Sequence, residues 1–232
     1  MQATTCAIVP AFNEESTVGA VVTALLLEHI ADSVIVVDDG SSDHTGVSAS
    51  SAGAVVYRRP KQGGKGAAVS DGLRQAWELT PTYILFVDAD IGEYASQMEP
   101  VLRAVKSRQA DMAVARFAQS SGGGVGAVMK LARAGIRELG GTEMRSPLSG
   151  QRAMCADKLR DVVNRCGLEK GYGLEVGLTI DWLRAGYSLI EVPTSMVHRG
   201  MGRGPAGFAH RGTQLAQVSL ALAKRGRGAA TF

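Results

Sequence analysis

Val34-Ile35-Val36-Val37-Asp38-Asp39 runs four β-branched apolar residues straight into two carboxylates. A strand with one wet face alternates apolar and polar residues. A strand that is apolar throughout suits a parallel sheet covered on both faces. The pattern recurs outward from this stretch. Ala7-Ile8-Val9 precedes it, and Ala54-Val55-Val56-Tyr57 and Tyr83 to Val87 follow it. Helical periods separate the runs. Residues 15–29 place Val18, Val21, Val22, Leu25 and Leu26 on one face, with Asn13 as the cap. A weaker helix covers 43–52 and stops at Gly53, and Lys65 to Leu79 is helical up to Pro81. Alternating strands and helices with right-handed crossovers predict an α/β fold. Its sheet is doubly wound and mainly parallel, with helices on both faces.

Beyond residue 90 the spacing is less regular. Met98, Val101, Leu102 and Val105 mark a helix, and Met112 to Ala115 a strand. Ser120 to Gly126 is a Ser/Gly run suited to a lid or hinge. Helical patterns follow over 125–139, 156–166 and 174–185, then a strand from Ser188 to Val192 and a helix from Gly212 to Lys224. Without repeats or a long linker, 1–232 reads as a single domain.

Composition narrows the class. Of 232 residues, 45% are apolar and 20% charged, which excludes disordered, collagen-like and disulfide-stapled chains. Cys6, Cys155 and Cys166 are too scattered for a disulfide framework or a zinc site and read as reduced thiols. No apolar run reaches the ~20 residues that span a bilayer. No charged leader precedes Ala7, so a signal peptide is not expected and the location is expected to be cytoplasmic. The net charge of +3 is uneven. After Glu191 there is no acid, only Arg199, Arg203, Arg211, Lys224, Arg225 and Arg227. Such a tail can meet phosphates or an anionic membrane surface, and it leaves room for a peripheral place at the inner membrane face. Nucleic acid is not expected as a partner. A homodimer is compatible with the chain.

In an open parallel sheet, ligands sit outside the carboxyl ends of the strands. Each strand here is followed there by polar residues. They are Pro10-Ala11-Phe12-Asn13-Glu14-Glu15, Asp38-Asp39-Gly40-Ser41-Ser42-Asp43, Arg58 to Gly66 with Gly63-Gly64-Lys65-Gly66, and Asp88-Ala89-Asp90. Caps and turns explain Asn13, Asp43 and some glycines. They do not explain two aspartate pairs directly off buried strands, where unpaired charge is costly. Carboxylates at i and i+2 leaving such a strand suit Mg²⁺ or Mn²⁺, and that cation suits a diphosphate leaving group.

Ile8 to Glu15, Val37 to Thr45, Gly64-Lys65-Gly66 and Val87-Asp88-Ala89-Asp90 resemble the family 2 glycosyltransferases with the GT-A fold, in order and spacing over residues 1–95. The resemblance implies a nucleotide-sugar donor and a divalent metal. It implies that Pro10, Ala11, Asn13, Glu14 and Asp39 line the nucleoside pocket, with Asp39 accepting from the base. Gly64 and Lys65 would face the diphosphate. Asp88 and Ala89 would lie near the ribose and metal, and Asp90 would ligate the metal. Residues 1–95 would then be the nucleotide-sugar-binding half, and 96–232 the acceptor-binding half.

The second half resembles two groups within that frame. Residues 126–152, ending in Ser146-Pro147-Leu148-Ser149-Gly150-Gln151-Arg152, resemble polyprenyl-phosphate sugar transferases, with Ser146 at their acidic position. That likeness brings in Arg152 as a catalytic residue and a polyprenyl-phosphate acceptor. Gly171-Tyr172-Gly173-Leu174-Glu175-Val176-Gly177-Leu178 and Val197-His198-Arg199 resemble glucosyl-3-phosphoglycerate synthases. That likeness implies Glu175 near sugar and acceptor, and His198 completing a metal site with Asp90 and Asp88. Arg199 and Arg203 sit in a glycine-rich loop that could embrace phosphates. The expected activity is metal-dependent transfer of a hexose from a UDP- or GDP-sugar to a small phosphorylated acceptor. Polyprenyl phosphate is the alternative acceptor, and a non-catalytic nucleotide-sugar-binding protein is the alternative class. A dehydrogenase would need G-x-G-x-x-G after the first strand, where this chain has Pro10-Ala11-Phe12-Asn13.

Overall fold

The computed structural model describes residues 3–118, 126–196 and 205–227. Its strands are β1 (Thr5–Ala11), β2 (Ser33–Asp38), β3 (Val55–Arg58), β4 (Tyr83–Phe86), β5 (Met112–Arg116), β6 (Arg152–Cys155) and β7 (Leu189–Pro193). They form one sheet in the order β3-β2-β1-β4-β6-β5-β7. β1 to β4 run parallel, as do β5 and β7. β6 runs antiparallel to both its neighbours, β4 and β5. The mainly parallel α/β sheet expected from sequence is therefore present, with one reversed strand.

Among the described residues, eight helices cover its faces: α1 (Val18–Leu27), α2 (Thr45–Ser51), α3 (Lys65–Glu78), α4 (Met98–Lys106), α5 (Gly126–Gly140), α6 (Ala156–Cys166), α7 (Leu174–Arg184) and α8 (Pro205–Arg227). Ala89–Gln97 and Gly171–Gly173 are 3₁₀ segments. The strand period of two sorts the core. From β1, Cys6 and Ile8 pack with Leu73 of α3, Ile136 of α5, Leu159 of α6, Trp182 of α7 and Val218 of α8. Ala7, Val9 and Ala11 point the other way, toward Val18, Val22 and Leu25 of α1 and Met98 and Val101 of α4. Each fully buried aliphatic chain contributes about 1.5–3 kcal/mol, so both faces of β1 hold the sheet in place.

Several expectations shift. The first helix starts three residues later than 15–29, and Asn13 does not cap it. Asn13 sits at φ 56, and its Oδ1 accepts from the Ser42 amide at 2.9 Å. It ties the end of β1 to the loop after β2. α8 begins at Pro205, seven residues before the predicted Gly212, while α6 matches 156–166. β3 is an edge strand with Val55 and Tyr57 exposed, so its apolar run is not covered on both faces. The sequence pattern did not mark β6, a four-residue strand.

Arg225 of α8, counted above with the basic tail, is turned into the core. It is 9% exposed and donates from Nε to Asp181 Oδ1 at 2.8 Å, from Nη1 to Glu169 Oε1 at 2.8 Å, and from Nη2 to Asp181 Oδ2. Burial works against the guanidinium, but the two carboxylates outweigh it and hold its pKa above the ordinary arginine value. Removing one partner of a buried ion pair leaves the other charged and desolvated. Arg225→Ala is therefore expected to lower the unfolding free energy by about 3–5 kcal/mol in urea denaturation. A loss below about 1 kcal/mol, the scale of an exposed pair, would show that these charges are solvated instead.

Candidate active site

The carboxyl ends of β1, β2 and β4 open on one rim, and the amino end of the reversed β6 opens there too. Four chain segments therefore deliver side chains to one place.

Lys65 is at its centre. Gly64, at φ 84, turns the chain in a left-handed conformation that a side chain would strain, and it starts α3 with Lys65 as its first residue. The Lys65 ammonium lies 2.5 Å from Asp88 Oδ1 and 2.7 Å from Glu175 Oε1. Burial opposes its charge, but Asp88 and Glu175 prevail and hold it protonated above the usual lysine range. Asp88 directly follows β4, and Glu175 is in the first turn of α7, 5% exposed. Both carboxylates share one cation.

Asp88 has a second support. Gln151 is buried, and its amide grips Asp88 twice. Nε2 donates to Asp88 Oδ2 at 2.8 Å, and Oε1 accepts from the Asp88 backbone amide at 2.8 Å. Gly150 lies close beneath this pair, and a Cβ there would have to displace the Lys65 ammonium and the Asp88 carboxylate.

Asp90 stands at the exposed lip of the same rim. Partial desolvation by the cleft walls, then the charges of Asp88 and Glu14, push its carboxyl up to about 6 against the pull of Lys65. Negative charge at this lip thus exceeds what Lys65 neutralises. Among the described residues, no three His, Cys, Asp or Glu side chains are arranged to hold a metal ion. What Asp88 and Asp90 offer is an open acidic lip and not a closed cage. That fits Mg²⁺ or Mn²⁺, which bind through one or two carboxylates and take the remaining ligands from substrate phosphates and water.

The other expected residues spread around this centre. Pro10 and Ala11 close β1, and Ala89 is buried between Asp88 and Asp90. Glu14 accepts from the Thr17 hydroxyl at 2.6 Å, and its amide donates to Thr45 Oγ1 at 2.8 Å. Asp39 is buried and heavily engaged. It pairs with Arg59 and accepts from the amides of Gly63 at 2.9 Å and Gly64 at 2.7 Å. It thereby shapes the turn that delivers Lys65.

Arg152 is 1% exposed and does not reach the open cleft. Its Nε donates to the Ser149 carbonyl at 2.9 Å and its Nη1 to Thr179 Oγ1 at 2.9 Å. Burial draws its pKa down to about 10, against the attraction of Glu175, Asp88 and Glu191, so it remains charged at neutral pH. A guanidinium spent on a loop carbonyl and a core hydroxyl roots the Ser149–Arg152 segment. His198, Arg199 and Arg203 lie outside the described residues.

Sequence reading passed over Arg59 and Gln151. Arg59 links Asp39 to Asp71, with Nε donating to Asp71 Oδ2 at 2.7 Å. The signal available for it was an arginine directly after β3, facing an acidic strand end. Gln151 had only its place inside the Ser-Gly-Gln-Arg run.

Comparison with known proteins agrees with this geometry. A family model described as glycosyl transferase family 2 matches residues 6–167. The glucosyl-3-phosphoglycerate synthase of Mycolicibacterium smegmatis is 31% identical over 200 residues, 77% of this chain and 63% of that protein. The chain thus spans less than two thirds of that relative. The undecaprenyl-phosphate mannosyltransferase of Micrococcus luteus is 30% identical over 207 residues, 84% of each chain. Crystal structures of the Mycobacterium tuberculosis glucosyl-3-phosphoglycerate synthase superpose with TM-scores of 0.76 and 0.74 at 25% identity, covering 96% of this chain and 79% of theirs. One is a complex with Mg²⁺ and UDP, the other with Mn²⁺, UDP-glucose and phosphoglyceric acid.

The raised Asp90 carboxyl sets a pH dependence. Its folded pKa of about 6 exceeds the ordinary aspartate value of 3.8, so the native state holds this proton more tightly than the unfolded chain does. The group's contribution to stability is therefore largest below pH 3.8 and is lost as pH rises toward 6. A divalent cation bound at the lip needs the proton gone. Stabilisation by Mn²⁺ in a thermal-shift series should be full at pH 8 and fade as pH falls through about 6. Asp90→Asn should raise the metal-free melting temperature at pH 8 and remove the Mn²⁺ response. A Mn²⁺ shift that is flat from pH 5 to 8 contradicts this assignment.

Proposed function

Because this chain belongs to glycosyl transferase family 2, we propose that it transfers a hexose from a UDP-sugar to a small phosphorylated acceptor, with Mg²⁺ or Mn²⁺ held at Asp88 and Asp90. The observation that carries this reading is the shared Lys65–Asp88–Glu175 contact at the carboxyl rim of the sheet, beside an acidic lip. Residues 1–95 supply Pro10, Ala11, Asn13, Glu14, Asp39, Gly64, Lys65, Asp88 and Ala89 to the nucleotide side. Residues 96–232 supply Glu175, with Arg152 behind it, to the sugar and acceptor side. His198, Arg199 and Arg203 are proposed for the phosphates, and His198 also for the metal, on sequence resemblance alone. UDP, not GDP, is favoured by the ligands in the solved relatives' structures.

The bound cation would withdraw charge from the departing diphosphate. The chain's own residues do the rest. Lys65 offers a positive charge beside the leaving group and pairs with the Glu175 carboxylate. Asp39 keeps Gly63 and Gly64 in the turn that aims Lys65, and it is proposed on sequence resemblance to meet the base.

The similarity to the mannosyltransferase across 84% of both chains favours a second reading, with polyprenyl phosphate as acceptor at a membrane surface. No described helix is long and apolar enough to cross a membrane, so such an acceptor would be met from outside the bilayer. One assay separates the readings. With UDP-glucose and Mn²⁺, transfer to 3-phosphoglycerate or glycerol 3-phosphate is expected, and sugar partitioning into detergent-solubilised undecaprenyl phosphate is not. Nucleotide-sugar binding without transfer to either would make the protein a binding module.

Two substitutions locate the chemistry. Asp90→Ala should lower turnover by about 10²-fold or more while leaving the fold intact, since Asp90 is exposed and makes no core contact. Wild-type turnover in excess chelator would refute the metal's role. Asp39→Asn should weaken binding of UDP without metal by about tenfold in calorimetry, the scale of one charge-assisted hydrogen bond. An unchanged affinity would leave Asp39 a purely structural acceptor.

A further inference from the structure

We propose that Gln151 is a positioning residue for the cation-binding carboxylate of Asp88, an inference that rests on the function proposed above. The case begins with geometry. A carboxylate directly after a strand can rotate about χ1 and χ2, and each rotamer aims its oxygens differently. Here rotation is stopped from two sides. Lys65 takes Oδ1 at 2.5 Å and Gln151 takes Oδ2 at 2.8 Å. Lysine is a mobile point charge on a long stem, and a cation arriving at Asp88 would compete with it directly. Gln151 is the other kind of partner. It is 1% exposed, and its second bond, from the Asp88 amide to Oε1 at 2.8 Å, fixes the amide group to the main chain of the residue it orients.

That second bond also settles which way the amide faces. Oε1 must accept from the backbone N–H, so Nε2 is obliged to donate to the carboxylate. When Lys65 yields Oδ1 to a cation, Oδ2 stays held by Gln151. The segment carrying Gln151 is itself rigid. Gly150 packs so closely against Lys65 and Asp88 that a Cβ would push both side chains aside. Arg152 anchors the following residue to the Ser149 carbonyl and to Thr179. Register completes the arrangement, since Arg152 pairs with Phe86 across β6 and β4 and places Gln151 opposite the chain that leads into Asp88.

The role predicts a selective defect. Calorimetric titration of UDP into the full chain, with and without Mn²⁺, compares wild type with Gln151→Met and Gln151→Asn. Methionine has the length and no hydrogen bonds. Asparagine has the groups and lacks the length to make both bonds. Both variants are expected to lose about tenfold in Mn²⁺-dependent UDP affinity while metal-free UDP affinity stays within twofold. Mn²⁺ electron paramagnetic resonance on the ternary mixture should show the matching rise in free ion. Wild-type Mn²⁺-dependent affinity in either folded variant overturns the inference. So does an equal loss with and without metal, because that marks general damage to the cleft. If methionine fails to fold, asparagine alone decides. Wild type that shows no Mn²⁺-dependent UDP binding refutes the proposed function itself, which a silent Gln151 with a responsive wild type does not.

Discussion

The ammonium of Lys65 between Asp88 and Glu175 is the contact on which the rest of the site depends. Two carboxylates cannot face each other at a partly desolvated rim without a cation. At an effective dielectric near 20, a unit charge 4 Å away is worth about 4 kcal/mol, enough to decide whether such a cluster forms. Lys65 meets this need while joining the start of α3, the end of β4 and the start of α7. The sheet, the first-half helix and the second-half helix thereby share one electrostatic centre. A desolvated cluster also has to be aligned by its neighbours. Asp39 shapes the turn before Lys65, Gln151 orients Asp88, and Arg152 bonds the loop below to Thr179, which in turn donates to the Glu175 carbonyl at 2.7 Å.

Much of the fold was readable because its elements obey strong local rules. β2 is apolar on both faces and is buried on both faces, so its period and its environment agree. α6 was found at its true bounds because its amphipathic stripe of Leu159 and Val162 is clear and Gly167, at φ 69, ends it. The failures came where tertiary context governs. Four residues from Arg152 to Cys155 make a central strand only because β4 and β5 flank them. Asn13 had the chemistry of a cap, but its side chain found a partner 29 positions away in Ser42. Arg225 looked like a tail charge because sequence cannot show that Asp181 and Glu169 converge on it.

The site divides along the same line. Asp88, Asp90, Lys65 and Asp39 stood out because carboxylates and a Gly-Lys-Gly turn directly after buried strands have few structural excuses. Two of their partners, Arg59 and Gln151, were not visible. A glutamine 63 positions from Asp88 has no local signature, and its two bonds exist only in the folded chain. Arg152 stood out as a motif arginine, and in the fold it is buried and bonded to a loop carbonyl and Thr179.

The reversal of β6 explains how one rim can hold both halves of the site. In a wholly parallel sheet, only carboxyl ends of strands face the ligand, and a strand's amino end lies on the far side. Residues preceding a strand then cannot reach the cleft. Running β6 antiparallel brings its amino end to the ligand rim, so the loop before it meets the loop after β4. Gly150 and Gln151 can touch Asp88 for that reason alone. The same reversal lets α6 and α7 follow on the face that already carries α3, which puts Glu175 within reach of Lys65. A first half built on parallel order supplies carboxylates at strand ends. A second half entered through one reversed strand returns to the same point from the opposite direction, and the charge of Lys65 closes the join.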